Sequence, residues 1–198
     1  MCERQMSSRF FAFGFFLFLA ACGGSGNSLR NLDDACSISR ERPNYFQAME
    51  RTQKRWGVPV AVQMATIWQE SKFKADARTP IQYAVGVIPM GRQSSAYGYA
   101  QALDATWDEY KSDSGNWGAR RNDIRDATDF IGWYMDQTQA KLGISKADAR
   151  NQYLAFHEGQ TGYARGSYKR KSWLVTIANN VGSRAQTYDR QLRSCGMV

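Results

Sequence analysis

The sequence has a single histidine, His157, and four cysteines among its 198 residues. Cys2 and Cys22 lie at the front end, and Cys36 and Cys195 stand far apart, so the ligand supply for a zinc site is missing. A phosphate-cradling glycine loop is also missing: Gly91-Arg92-Gln93-Ser94 lacks the required lysine and spacing. No Ser/His/Asp arrangement stands out, and Ser94-Ser95 read as loop. No internal repeat is visible, which excludes a solenoid. No stretch alternates convincingly with period two, so a sheet has no sequence signal. The longest apolar run, Phe10 to Leu19, is too short for a comfortable membrane-spanning helix. No metal and no cofactor are expected.

What remains is an ordinary globular composition, 43% hydrophobic, 13% aromatic and 22% charged, long enough to bury a real core. The formal net charge is +8. Apart from Lys169-Arg170-Lys171, the basic residues are scattered, so the charge reads as a solvated surface or as attraction to an anionic partner. No helix presents a clean basic recognition face, and nucleic acid is not an expected partner.

At the N-terminus, Arg4 and Arg9 precede the Phe-rich apolar run, the pattern of a signal peptide. The run ends in Leu19-Ala20-Ala21-Cys22, which resembles a bacterial lipobox, with Cys22 as the acylated first residue of the mature chain. Gly23, where an Asp would resemble a retention signal for the inner membrane, points to the outer membrane, periplasmic face. Residues 23–28 form a Gly/Ser-rich tether. The expected organisation is a lipoprotein signal peptide over 1–21, a lipid-attached tether over 22–35 and one domain over 36–198. In an oxidising compartment Cys36 and Cys195 are expected to pair, with about 5 kcal/mol of chain-entropy stabilisation.

Beyond the tether the pattern is helical. Tyr45, Met49, Thr52 and Trp56 fall on one helical face, with Gly57 suited to its end and Pro59 to the next start. Val60, Met64, Ile67, Trp68 and Ser71 mark a second face. Ile124, Ala127, Ile131, Tyr134, Met135 and Thr138 mark a third, and Tyr153, Leu154 and Phe156 a fourth. Leu174, Ile177, Ala178, Val181, Ala185, Tyr188 and Leu192 mark the last. Residues 76–97, punctuated by Pro80, Gly86, Pro89 and Gly91, read as a long loop with room for a short hairpin at Tyr83 to Val87. The fold class is mostly α, a single domain.

Glu70 closes the second helix at the rim of its apolar stripe. A carboxyl held against an apolar wall has its charged form disfavoured, and its pKa rises. That suits a general acid at neutral pH.

Around Glu70-Ser71 run two further stretches, Ala96-Tyr97-Gly98-Tyr99-Ala100-Gln101 and Tyr153-Leu154-Ala155-Phe156-His157-Glu158-Gly159. In this order they resemble the soluble lytic transglycosylases, whose motifs are Glu-Ser, Gly-Leu-Met-Gln, Ala-Tyr-Asn-Ala-Gly and a late tyrosine. The resemblance covers roughly residues 45 to 192. It departs from the family at Tyr99 and Ala100, at His157 in the asparagine position and at Glu158 in the alanine position. Residues 79–93 read as an insertion.

The resemblance implies a goose-lysozyme-like helical domain acting on peptidoglycan glycan strands, as a monomer. It implies Glu70 as the catalytic acid/base and Ser71, Tyr97, Gly98, Tyr99, Gln101, Phe156, His157 and Tyr188 as substrate-binding residues, with Tyr188 hydrogen-bonded to Glu70. The implied reaction cleaves the β-1,4 bond between N-acetylmuramic acid and N-acetylglucosamine and leaves 1,6-anhydro ends, one carboxyl serving as acid and then base. Two alternatives stay open. A hydrolytic muramidase would need a second carboxylate, for which Asp104, Glu109 and Glu158 are candidates. A non-catalytic wall-binding lipoprotein would keep the groove without the chemistry.

Overall fold

The computed structural model describes residues 29–85 and 87–198. The expected signal segment 1–21, the acylation site Cys22 and the tether up to Ser28 lie outside the described residues. Among the described residues no helix is long and apolar enough to cross a membrane.

The body is helical. α1 (Ala35–Glu41) starts where the Asp34 carboxylate accepts the Cys36 N–H at 2.9 Å, a side-chain cap on an otherwise orphan donor. α2 (Pro43–Trp56) begins with proline at its first turn, where no backbone donor is needed. It ends at Gly57, left-handed at φ 73°, whose N–H bonds the Gln53 carbonyl at 2.8 Å. Tyr45, Met49 and Thr52 face inward as the periodicity requires.

α3 (Val60–Ser71) is buried on every side from Val60 to Ile67. Such all-round burial marks a helix enclosed by others. α2, α5 (Ile124–Leu142), α6 (Ala149–Glu158) and α8 (Ser172–Ser194) all pack against it. The last turn of this core helix carries Glu70, so the interior itself positions the carboxyl.

α5 approaches α2 closely because Gly132 has no side chain. A Cβ there would stand 2.4 Å from Trp56 Cδ1. Trp56 in turn donates its indole N–H to Asp129 at 2.8 Å, and Tyr110 of α4 (Asp104–Ser114) donates to the same carboxylate at 2.8 Å. Trp107, Tyr110, Phe130, Trp133, Tyr134 and Phe156 form a continuous aromatic cluster across α4, α5 and α6. α7 (Gln160–Ala164) and a 3-10 turn at Ser167–Arg170 link α6 to α8. α1, α4 and α7 carry too little apolar periodicity to stand out in the sequence.

The segment expected as a loop holds an antiparallel hairpin, larger than the Tyr83–Val87 expectation. β1 (Ile81–Ala84) pairs with β2 (Ile88–Arg92), with an irregularity between Gln82 and Tyr83. Its base is closed by Thr79, which donates to the Ser94 carbonyl at 3.0 Å. Tyr83, Val85, Val87, Ile88 and Met90 are all exposed, so no face of the hairpin contributes to the core.

Cys36 and Cys195 are joined, Cα to Cα 6.5 Å, closing a loop with a sequence separation of 159. The bond ties α1 to the end of α8 and is worth about 5 kcal/mol by loop-closure entropy. The folded body begins before residue 36, contrary to a tether running to 35. Leu29 and Leu32 pack against the core. Ala35 is fully buried, and its N–H bonds the Gln191 side chain at 2.9 Å. Two leucines in a polar segment supply enough apolar surface to dock it.

Candidate active site

The end of α3 is built under backbone strain. Lys72 caps the helix in the left-handed region at φ 53°, with its N–H on the Trp68 carbonyl at 3.1 Å, and Phe73 follows at φ 59°. Gln101 is left-handed as well, at φ 48°. Non-glycine residues held in this way cost about 1–3 kcal/mol each and gather at functional sites.

Glu70 keeps a partly exposed edge, but its carboxyl sits deep enough to be poorly hydrated. Burial drives its pKa up to about 7, opposed by a hydrogen bond from Tyr153 and by the Lys72 ammonium. Near neutral pH the group is therefore divided between acid and carboxylate, the condition for giving and then retaking a proton. Burial and the neighbouring carboxyl push the Tyr153 phenol far up, so Tyr153 stays a donor.

Tyr153, one of the apolar-face residues of α6, is thus the tyrosine on Glu70. Tyr188, expected in that role, is fully buried and donates its hydroxyl to the Leu32 carbonyl, while Arg184 donates to its oxygen at 3.3 Å. The reason is which way α8 turns. At Tyr188 it faces the docked N-terminal segment, a partner hidden from any reading that treats residues before 36 as tether. Tyr153 could have been found from its spacing: it lies four residues before His157, on the same helical face.

The other expected binding residues divide between groove and scaffold. Ser71 is 5% exposed and returns its hydroxyl to the Ile67 carbonyl at 3.2 Å, bonding neither Glu70 nor open space. Gln101 spends its amide N–H groups on the Ala77 and Gly98 carbonyls at 2.9 and 2.8 Å. It fastens the loop after Glu70 to the second motif and keeps its amide oxygen as acceptor. Gly98 is required by packing, since a Cβ would meet the Arg121 carbonyl oxygen at 2.1 Å. Tyr99 is buried, its hydroxyl 2.7 Å from that of Tyr45. Tyr97 remains partly open beneath the guanidinium of Arg78, 4.2 Å from the ring centre. Phe156 packs edge-on against Tyr134 and Phe130.

His157 is open to solvent on one side, with Nδ1 3.2 Å from Glu158 and its ring edge-on to the exposed Trp173 at 5.3 Å. Glu158 itself is 4% exposed in its side chain, and it receives hydrogen bonds from Ser167 and from Lys171 at 2.7 Å. Burial alone would raise its pKa, but the bonds from Lys171, Ser167 and His157 overcome that and hold it near about 2. It is a fixed anion that clamps the 3-10 turn and the start of α8 to α6. Gly159, at φ 75° and ψ 152°, makes the turn that follows, a conformation open essentially only to glycine.

Tyr153, His157 and Trp173 thus run in sequence away from Glu70, and Lys72 stands near it at the end of α3. None of these except His157 stood out as a site residue in the sequence. A cleft of about 750 Å³ lies elsewhere, over Tyr45, Tyr99 and Asp123. It contains no poised acid, since Asp123 is held down at about 2 chiefly by hydrogen bonds from Arg125. Among the described residues no cluster of His, Cys, Asp or Glu could hold a metal ion.

No curated protein matches the sequence. A family model described as transglycosylase SLT domain matches residues 10–195. That span takes in the Glu-Ser pair, both later motifs and every described helix from α1 to α8, so the chain belongs to the transglycosylase SLT domain family.

Proposed function

We propose that the protein is a lytic transglycosylase that cuts the β-1,4 bond between N-acetylmuramic acid and N-acetylglucosamine, with Glu70 as the one acid/base. Family membership indicates a peptidoglycan-related, lytic-transglycosylase-like role. The observation that carries the finer reading is the state of Glu70, a desolvated carboxyl with a pKa of about 7 under a donated tyrosine bond. Protonated Glu70 gives its proton to the bridging oxygen as the bond to the muramoyl C1 breaks. The resulting carboxylate takes the proton of the muramoyl 6-hydroxyl, whose oxygen closes on C1. Atoms balance without water, and the carboxyl returns to its starting state. Tyr153 holds the rotamer through both halves.

A hydrolase would need a second carboxylate to activate water. Of the three candidates, Glu158 is saturated by donors and Asp104 is paired with Arg121 at 2.7 Å, so the hydrolytic reading has only the exposed Glu109 of α4 left to supply that carboxylate. Lipid attachment at Cys22 to the periplasmic face of the outer membrane would leave residues 23–28 as the leash. Incubating purified sacculi with wild type and Glu70→Gln, then weighing the muropeptides, tests the reading. Anhydro-muramoyl ends that vanish with the variant are expected. Reducing ends carrying added water would overturn it in favour of hydrolysis.

A further inference from the structure

Trp68 and Lys72 are four residues apart at the end of α3, and Arg184 faces them from α8. The Lys72 ammonium lies 3.1 Å from the centre of the Trp68 ring, and the Arg184 guanidinium carbon 3.4 Å. Two cations that close to one centroid cannot share a face, so the indole is held between them. Cation–π contacts of this kind favour placement of the charges but do not neutralise them. Arg184 has one carboxylate partner, the exposed Asp33 at 2.7 Å. Lys72 has no ion pair or hydrogen bond to a side chain among the described residues. Its ammonium is near enough to feel both Arg184 and Glu70, and burial together with Arg184 lowers its pKa. These residues line a cleft of about 480 Å³ together with Asp33, Asn180 and Ser183.

This is a partly desolvated cationic recess with one positive charge in excess of its own carboxylate, beside the acid of the site. The two cations lie across the ring from each other and Arg184 already holds Asp33, so the ammonium is the one left to gain from an anion, and a carboxylate suits it. Two peptide steps separate Lys72 from Glu70, so their Cα atoms are at most about 7.6 Å apart. A peptidoglycan strand offers carboxylates at such a distance only on its muramoyl side arms. The lactyl group carries one when bare, and the attached peptide stem, about 10 Å long for three extended residues, carries others.

We propose that Lys72, seated on the face of Trp68 opposite Arg184, binds a carboxylate of the muramoyl side arm. This rests on the peptidoglycan reading for the identity of the ligand. The site would read which sugars bear an arm and hold that arm to one side of the bond to be cut.

The test uses the full-length protein carrying E70Q, so that strands are bound and not consumed. Affinities are measured for chitotetraose, which has no carboxylate, for a strand tetrasaccharide with bare lactyl arms and for the same strand with tripeptide stems. At least one acidic ligand should bind about tenfold more tightly than chitotetraose, the size of a charge-assisted hydrogen bond. Adding K72Q should remove that margin, and K72R should keep it. A margin already present with bare arms assigns the lactyl carboxylate, and one that needs stems assigns the peptide. No margin in the parent protein, or a margin untouched by K72Q in a protein that melts normally, overturns the proposal. If wild type digests sacculi but K72Q leaves the margin alone, the recess is wrong and the lytic reading stands. If wild type digests nothing while the margin depends on Lys72, the reverse holds.

Discussion

Replacing Glu70 with glutamine should make the protein more stable and less active, and the gain in stability should depend on pH. In the folded chain burial lifts this carboxyl from 4.5 to about 7. Below about pH 4 it is protonated whether the chain is folded or not, and folding carries no penalty from it. Between 4.5 and 7 the unfolded chain releases the proton while the folded chain keeps it, so stability declines as pH rises. Above 7 both forms are ionised and the full cost stands, about 3 kcal/mol for a displacement of this size. Glutamine has the same shape, can still accept the Tyr153 hydrogen bond and never ionises. Urea unfolding of wild type and Glu70→Gln from about pH 4 to pH 8.5 should therefore give curves that diverge as pH increases. The difference should approach about 2–3 kcal/mol at the alkaline end, while lytic activity falls at least about a hundredfold. A stability difference that is flat across that range would mean that Glu70 is well hydrated in the folded protein. Its suitability as an acid at neutral pH would then be lost, whatever its place in the motif.

Tyr153→Phe removes the donor that opposes the rise in the Glu70 pKa. The alkaline limb of the rate profile should move to higher pH, with kcat reduced about tenfold and KM nearly unchanged; an unmoved limb would separate Tyr153 from Glu70. Gly98→Ala should destabilise by about 2–4 kcal/mol, because φ is 79° and the new Cβ would strike the Arg121 backbone at 2.1 Å. A thermal melt within error of wild type would contradict the packing. Excising residues 81–92, with a short glycine link from Pro80 to Gln93, whose backbones already bond at 3.4 Å, should change stability by no more than about 0.5 kcal/mol. Among the described residues the hairpin has no substantial packing on a helix, so a large loss in urea unfolding would contradict this placement.

Much of the helical framework was readable because α2, α3, α5 and α8 repeat their apolar residues at helical spacing, and periodicity reports burial directly. The position of Glu70 was readable as well, since it falls in the last turn of an apolar helix, where the buried run gives way to partly exposed residues. The partners of Glu70 were much harder to read. Which tyrosine reaches it depends on how α6 and α8 are rotated about their axes when they pack against α3, and no local pattern fixes that rotation. Tyr188 looked suitable by order along the chain, yet the docking of Leu29 and Leu32 gave its hydroxyl another acceptor. Tyr153 looked like core, and 3% exposure makes it core. It is also a donor in the site, and the two roles coincide because the acid it serves is itself half interior. The cations around Trp68 were hidden by a different cause. Lys72 reads as a loop lysine until its left-handed backbone turns it back over the indole, and Arg184 reads as a surface residue until α8 is laid against α3. Residues placed by the periodicity of their own helix can be inferred from sequence. Residues placed by the packing of another element have to be seen, and at this site those are the ones that tune and flank the acid.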